Sequence, residues 1–195
     1  MTSDLDALTS ELLGARLREL REGTGRSLRS LAKDLGISPS AVSQIERGVL
    51  RPSVSRLLAY VTALGVPLSA VFDAGAAKER EEHAFAVRRS FEVAPIELGG
   101  GVLFRRLSPV PTRGLEFFES LYPPGAAADG HGRLLRHEGY EVGTVTEGEL
   151  TIDFDDDVVT LAAGDSITYP CDRPHLIANR SATARAVATW LIVHP

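Results

Sequence analysis

The chain has 195 residues and a formal net charge of −5, and this length is sufficient for two small domains. Its single cysteine, Cys171, excludes an intramolecular disulfide and a cysteine-rich zinc site. No apolar run reaches the roughly 18 residues of a membrane-spanning helix. The N-terminal sequence MTSDLDALTS lacks a signal-peptide pattern, so we expect a cytoplasmic protein with no membrane association.

The charge is distributed unevenly along the chain. Residues 12–72 carry nine Lys and Arg against four Asp and Glu, a balance of +5, whereas residues 76–195 have a balance of −6. A basic head joined to an acidic body is the pattern expected of a DNA-binding domain linked to a domain with another task.

The basic segment predicts five short helices. The first begins near Leu12, has leucines at helical spacing on one face and ends at Gly23 or Gly25. Two more helices meet at a turn where Gly36 can adopt the positive φ that ends a helix. A fourth and a fifth cover SVSRLLAYVTALG and LSAVF. The serines that precede the second, third and fourth helices are good N-caps: Ser27, Ser38 and Ser53.

The third helix has a polar outer face. It buries Val42 and Ile45, directs small or hydrogen-bonding side chains outward, and leaves Glu46 as the acidic residue on its exposed side. Residues from about 13 to 72 resemble the helix-turn-helix domain of lambda-repressor-like (xenobiotic response element) regulators, on the phrases LAKDLGISPSAVSQIERG and PSVSRLLAYVTALGVPLSAVF. Such a pair places the outer face of its second helix in a DNA major groove. The alternative is a helical hairpin used only for packing.

Eight residues of this head are candidate DNA contacts. Gln44 can pair bidentately with adenine, and Arg47 can reach guanine or phosphate. Three shorter side chains are less decisive readers, and three further arginines would contact phosphate and set the register. The short residues are Ser38, Ser40 and Ser43, and the arginines are Arg26, Arg29 and Arg51.

After the helices the sequence predicts a connector and then β-structure. We assign residues 1–75 to the DNA-binding domain, residues 76–83 to a linker and residues 84–195 to a second domain. The second domain contains short runs rich in Val, Ile, Thr, Tyr and Phe between Gly, Pro and Asp clusters, which favours an antiparallel sandwich or barrel. The stretch EGELTIDFDDDVVTLAAGDSITYP predicts a hairpin with DDD at its tip.

Two spaced sets of residues in the second domain resemble the two motifs of the cupin family. The first set is His137, Glu141 and Gly148, and the second is Gly164, Pro170, His175 and Asn179. The resemblance implies a two-domain protein, in which an all-α five-helix repressor-like head is followed by an all-β cupin (double-stranded β-helix) barrel. The chain departs from the family pattern at Leu135, where the family has a histidine, and at Asp172, where it has a glycine.

Two imidazoles and one carboxylate remain as candidate metal ligands: His137, Glu141 and His175. They would suit divalent Fe, Mn, Ni or Zn and leave open coordination positions. Residues four apart on a strand face the same side, which predicts that His137 and Glu141 share a cavity. The alternative is that the metal has been lost and that the three side chains hydrogen-bond a ligand or each other. Tyr169 and Trp190 are candidate walls of a ligand pocket, although aromatic residues in strands usually serve the core.

Three functions are compatible with this pattern. The favoured one is a transcriptional regulator, not an enzyme, which binds a double-stranded DNA operator as a homodimer and senses a small-molecule effector through its cupin domain. The second is a mononuclear non-haem iron oxygenase or epoxidase, because the sequence also resembles hydroxypropylphosphonate epoxidase, which joins the same two domain types. The third is a barrel that serves only for dimerisation.

Overall fold

The computed structural model describes residues 9–72, 85–89, 94–129 and 134–194. The predicted linker at residues 76–83 lies outside these described residues. Four α-helices form the head: α1 Ser10–Gly23, α2 Leu28–Leu35, α3 Pro39–Glu46 and α4 Val54–Leu64. No helix among the described residues is long and apolar enough to cross a membrane.

The prediction of five α-helices was wrong, because the last segment, Leu68–Phe72, is a five-residue 3₁₀ helix. The N–H of Ala70 bonds to the carbonyl of Pro67 at 3.0 Å, which is the i to i+3 pattern of a 3₁₀ turn. The segment is too short to add further α-helical turns.

The predicted helix caps are confirmed. The hydroxyl of each capping serine accepts a hydrogen bond from the main-chain N–H three residues later, at 3.1–3.2 Å; the serines are Ser27, Ser38 and Ser53. Gly36 ends α2 with a φ of 63°. The sequence therefore predicts the helix–turn–helix geometry correctly because its stop and start signals are local.

A close approach between α1 and the end of α3 fixes the head. A Cβ atom on Gly14 of α1 would lie 2.6 Å from the carbonyl oxygen of Ile45, and a Cβ on Gly48 would lie 2.6 Å from the amide nitrogen of Glu11. Only glycine at both positions lets the two backbones pack this closely.

The described part of the second domain has one short 3₁₀ helix, Gly99–Gly101, and nine strands: β1 Ile96–Glu97, β2 Leu103–Arg106, β3 Leu115–Tyr122, β4 Tyr140–Glu147, β5 Glu149–Phe154, β6 Val158–Ala162, β7 Ser166–Pro170, β8 His175–Ala178 and β9 Ala186–Val193. They form a six-stranded sheet in the order β1-β2-β3-β9-β4-β7 and a three-stranded sheet in the order β6-β5-β8. Every strand pair among the described residues is antiparallel, as predicted. Strands β5 and β6 form the predicted hairpin, with residues 155–157 at its tip.

The helical head packs directly against the β domain. The amide of Ser55 at the start of α4 bonds to the carbonyl of Ala128 at 3.1 Å, and the amide of Gly99 bonds to the carbonyl of Pro52 at 2.8 Å. Buried apolar residues of the head and of both sheets belong to one hydrophobic core. The two domains of the described chain are therefore parts of a single packed unit.

Candidate functional site

The outer face of α3 carries the predicted DNA-reading residues. Val42 and Ile45 are buried beneath the helix, whereas Ser40 and Arg47 are exposed. Ser43 and Gln44 are half-buried, and the hydroxyl of Ser38 is used to cap the helix. The side chains that can reach furthest from this face are those of Gln44 and Arg47.

The three predicted phosphate-binding arginines differ in their surroundings. Arg29 is exposed on α2. The guanidinium of Arg26 donates to the carbonyl of Ala63 at 3.2 Å and to the carboxylate of Asp34. The guanidinium of Arg51 donates to the hydroxyl of Ser10 at 2.7 Å and to the carboxylate of Glu97 on β1. An acidic partner therefore compensates part of the charge that Arg26 and Arg51 would offer to phosphate.

The exposed position predicted for Glu46 was wrong. Its carboxylate is buried and accepts hydrogen bonds from Arg21 Nε at 2.6 Å, Arg21 Nη2 at 2.9 Å and the hydroxyl of Tyr60 at 2.6 Å. The helical position beside buried Ile45 turns the side chain inward, where α1 and α4 supply its partners. The polar face of α3 consequently carries no acidic residue among its exposed side chains.

The candidate metal ligands are brought together in the β domain. One ligand atom each from His137, Glu141 and His175 lies within 4.8 Å of the other two. Glu141 lies on β4 and His175 begins β8 in the other sheet, so both sheets contribute. The cluster is largely buried. Charged side chains are rarely buried unless they are paired or bind a ligand.

The prediction that His137 and Glu141 lie on one strand was wrong, although their side chains do meet. His137 precedes β4, which begins at Tyr140, so it does not share a strand with Glu141. Its segment is held instead by neighbouring chain: Leu135 pairs with His175, and the amide of His137 bonds to the carbonyl of Cys171 at 3.0 Å. The histidine approaches the cavity from this loop.

The hydrogen bonds of His175 leave one nitrogen available to a metal. Its Nδ1 lies 2.9 Å from the carbonyl oxygen of Arg173, so Nδ1 carries the proton and donates. Its Nε2 is buried and has no hydrogen-bond partner in the structure. An imidazole whose outer nitrogen is bonded to a carbonyl and whose inner nitrogen is orphaned is oriented as metal-binding histidines are.

The contacts of Glu141 also define its charge state. Its Oε1 lies 3.1 Å from His137 Nε2, and its Oε2 accepts the hydroxyl of Tyr169. Burial alone would raise the pKa of Glu141, but the two histidines and Tyr169 outweigh it and lower the pKa. Burial alone would lower the pKa of His137, but Glu141 outweighs it and raises the pKa. Each group therefore favours the charged form of the other.

A small cavity adjoins this cluster. Its volume is about 30 Å³, and Glu141, His175 and Trp190 are among the residues that line it. The predicted wall residue Trp190 is thus present, with its indole N–H donating to Ser120 Oγ at 2.8 Å. Tyr169 instead packs against the rings of Phe154 and His175 behind the carboxylate.

Sequence reasoning missed the contribution of the head to this cavity. Val54, Ser55 and Leu58 of α4 form part of its lining. In the sequence these residues follow the helical pattern of the head core, and no local signal distinguishes a leucine that faces the head from one that faces another domain.

The chain is similar to known proteins in both of its domains. Residues 12–71 match the helix-turn-helix domain family, and residues 118–192 match the cupin domain family. The HTH-type transcriptional regulator PuuR of Escherichia coli (strain K12) is 31% identical over 171 residues, which cover 87% of this chain and 88% of that protein. The crystal structure of an HTH_3 family transcriptional regulator from Vibrio cholerae matches with a TM-score of 0.69 and 24% identity, over 96% of this chain and 97% of that chain, and supports the fold alone.

A solved enzyme also matches, more weakly. The structure of hydroxypropylphosphonic acid epoxidase from S. wedmorenis is 19% identical with a TM-score of 0.49, over 94% of this chain and 98% of that chain.

The two family matches define the class as helix-turn-helix proteins with a C-terminal cupin domain. The chain belongs to the family of HTH-type transcriptional regulators that includes PuuR, and it is a DNA-binding regulator.

Proposed function

We propose that this regulator binds a specific DNA operator as a homodimer and that its cupin domain senses a small molecule with the help of a divalent metal ion. It acts on DNA in the cytoplasm and catalyses no reaction. The single observation that carries the proposal is the combination, in one packed chain, of an exposed polar α3 face with a buried His-Glu-His cluster.

Sequence reading is assigned to the outer face of α3. Gln44 would read adenine and Arg47 guanine or phosphate, with Ser40 and Ser43 in supporting contacts. Ser38 stands at the helix N-terminus, where a phosphate is also favoured. Arg29 is the best placed of the phosphate contacts, and Arg26 and Arg51 would have to share their guanidinium groups with the acidic partners described above.

Dimerisation is assigned to the outer face of the six-stranded sheet. This face exposes adjacent apolar side chains, since Tyr140 is paired with Val193 and Leu191 is flanked by Phe117 and Val142. A second copy of the chain is the favoured occupant because one head makes few phosphate contacts, and tight specific binding needs two heads on half-sites about 34 Å apart.

The dimer can be tested with a charge on this face. Val142→Arg should give a monomer by light scattering coupled to size-exclusion chromatography. Val158→Arg, an exposed valine of the other sheet, should leave the dimer intact. A Val142→Arg protein of unchanged mass would contradict this assignment.

The metal is assigned to His137, Glu141 and His175. The orphaned Nε2 of His175 supports a ligand at that point, and two nitrogens with one carboxylate oxygen suit Fe, Mn, Ni or Zn in the divalent state. A bound ion would supply a Lewis acid with open positions for a donor atom of an effector. Trp190 would contact the effector, and Tyr169 would hold the Glu141 carboxylate in place.

The proposed function is tested by selecting binding sites from random-sequence DNA. We expect an enriched pseudo-palindrome, and an affinity that falls steeply with salt because phosphate contacts release counterions. Arg47→Ala should weaken binding, whereas Arg180→Ala, which removes an exposed arginine of the β domain paired with Asp153, should not. Recovery of no enriched sequence would refute sequence-specific binding.

The second candidate is an iron oxygenase or epoxidase, favoured by the same two-histidine, one-carboxylate cluster. Oxygen uptake after loading with iron, in the presence of candidate substrates, would support it. DNA protection by the metal-free protein together with no oxygen uptake would exclude it.

A further inference from the structure

The cavity beside the His-Glu-His cluster is closed on one side by the DNA-binding head. Its volume of about 30 Å³ is far below the roughly 300–1,000 Å³ of a typical small-molecule pocket. The head contributes Val54, Ser55 and Leu58 of α4 to the lining. With α4 in this position, the cavity is therefore too small for an organic effector of ordinary size.

Leu58 separates the cavity from a much larger cleft. The cleft lies between the head and the β domain, has a volume of about 620 Å³ and is lined by His137. Leu58 and Ile192 line both the cleft and the cavity. Ile192 belongs to β9, which is paired on both sides within the six-stranded sheet, whereas Leu58 is a half-buried residue of α4. Of the two residues between the cleft and the cavity, Leu58 is therefore the one that would move with the head.

Specific hydrogen bonds reinforce the apolar packing of α4 against the β domain. Ser55 donates twice to the carbonyl of Ala128, from its amide at 3.1 Å and from its hydroxyl at 3.3 Å. The amide of Ser69, just beyond α4, donates to Glu116 Oε1 at 2.8 Å. These bonds add to the buried apolar surface that the head shares with the β domain, so a ligand that displaces α4 must outweigh both.

The same helix is tied to the DNA-reading helix. The hydroxyl of Tyr60 on α4 donates to Glu46 at the end of α3 at 2.6 Å, and Arg56 donates to the carbonyl of Leu35 at the end of α2 at 2.7 Å. Any shift of α4 away from the cavity therefore carries α2 and α3 with it.

We propose that α4 is a removable wall of the cupin cavity, with Leu58 as its gate residue, so that a docked head and an organic molecule in the cavity are alternative states. The remaining lining, which includes Phe104, Ile177 and Trp190 beside Glu141 and His175, fits a compact, largely apolar molecule that carries one hydrogen-bonding or metal-binding group. The inference deepens the sensing part of the proposed function and rests on it, because filling the cavity would then reorient the DNA-reading helix.

The gate can be tested without knowing the effector. Trp190 is the single tryptophan of the chain and lines the cavity, so quenching of its fluorescence by acrylamide measures entry of a small organic molecule. Leu58→Ala in the full chain should raise the quenching constant about tenfold, which corresponds to about 1.4 kcal/mol of lost closure. Leu20→Ala, another partly buried leucine of the head that lies outside the cavity lining, should leave quenching near the wild-type value. Equal quenching in the two variants would overturn the gate.

A reversible cross-link tests whether the head must move. Ser55→Cys and Ala128→Cys place two thiols where the two backbones are in direct contact, and Cys171→Ala removes the native thiol. The oxidised protein should show about tenfold less quenching of Trp190 than the reduced protein. Identical quenching in both states would overturn the removable wall. Neither experiment uses DNA or an effector, so their failure would leave the proposed sensing function open to the operator selection and to ligand screens.

Discussion

The buried group around Glu46 offers a sharp test of how the DNA-binding head is held together. Glu46 accepts three hydrogen bonds, two from Arg21 and one from Tyr60. The side chains of the ion pair are 9% and 4% exposed. The carboxylate thus joins the end of α3 to α1 and α4 at once. We predict that Glu46→Ala strongly destabilises the protein.

The magnitude follows from what the substitution leaves behind. Removing one partner of a buried ion pair typically costs about 3–5 kcal/mol, because the other charge stays buried without its counter-ion. Arg21 would retain a bond to the carbonyl of Arg26 at 2.9 Å and a longer one to exposed Glu22, which places the expected cost near the lower limit, about 3 kcal/mol. In a chain of this size each kcal/mol of lost stability lowers the thermal unfolding midpoint by about 2–4 °C, so the midpoint of Glu46→Ala should fall by about 6–12 °C.

Thermal and urea unfolding of the full chain measure this effect. The control is Glu19→Ala, which removes an ion pair with Arg16 in which the Glu19 side chain is 69% exposed; its expected cost is about 0–1 kcal/mol. DNA affinity should fall for Glu46→Ala beyond the loss of folded protein, since α3 loses its anchor. A Glu46→Ala protein as stable as the Glu19→Ala control would refute the reasoning.

Three further predictions concern separate parts of the molecule. Burial raises the pKa of Tyr60, and so do the hydrogen bond to Glu46 and the charge of Glu46. The unfolded chain therefore loses a proton near pH 10 that the folded chain keeps. When unfolding is measured between about pH 9 and 11, the stability of the wild type should fall with rising pH more steeply than that of Tyr60→Phe. His175→Ala should weaken binding of Zn²⁺ or Co²⁺ by at least about tenfold in calorimetric titrations. The control His194→Ala, which removes an imidazole paired with Glu116, should leave metal affinity unchanged. An equal loss of affinity in the two variants would contradict the assignment of His175 as a metal ligand. Gln44→Ala should cost about 1–3 kcal/mol of operator affinity and relax the base preference at one position, while uniform weakening on all sequences would mean that Gln44 contacts only the backbone.

The head could be predicted well because its signals are local. Ser27, Ser38 and Ser53 cap the helices that follow them, and Gly36 adopts the expected left-handed conformation. Each of these features depends on residues within one helical turn. The position of Glu46 could not be predicted in the same way, since its partner Arg21 is 25 residues distant.

The candidate metal cluster was predicted from motif spacing, and the structure brings its three members together. The route by which His137 reaches the cluster was not predictable, because its loop is held by main-chain bonds to the segment that ends at His175. The packing of α4 on the β domain was missed entirely. Helical periodicity records that Leu58 faces something apolar, but it does not record which surface that is.

The shared core has a practical consequence for anyone who divides this protein. Isolating residues 1–75 would uncover Val54, which is 6% exposed in the whole chain and lines the cavity next to the β domain, together with the ring of Phe72 that contacts Phe118. Such a fragment would be prone to self-association. Its DNA-binding curves would then include non-specific binding by aggregates as well as operator recognition. Footprinting and gel-shift work on this regulator therefore calls for the intact polypeptide.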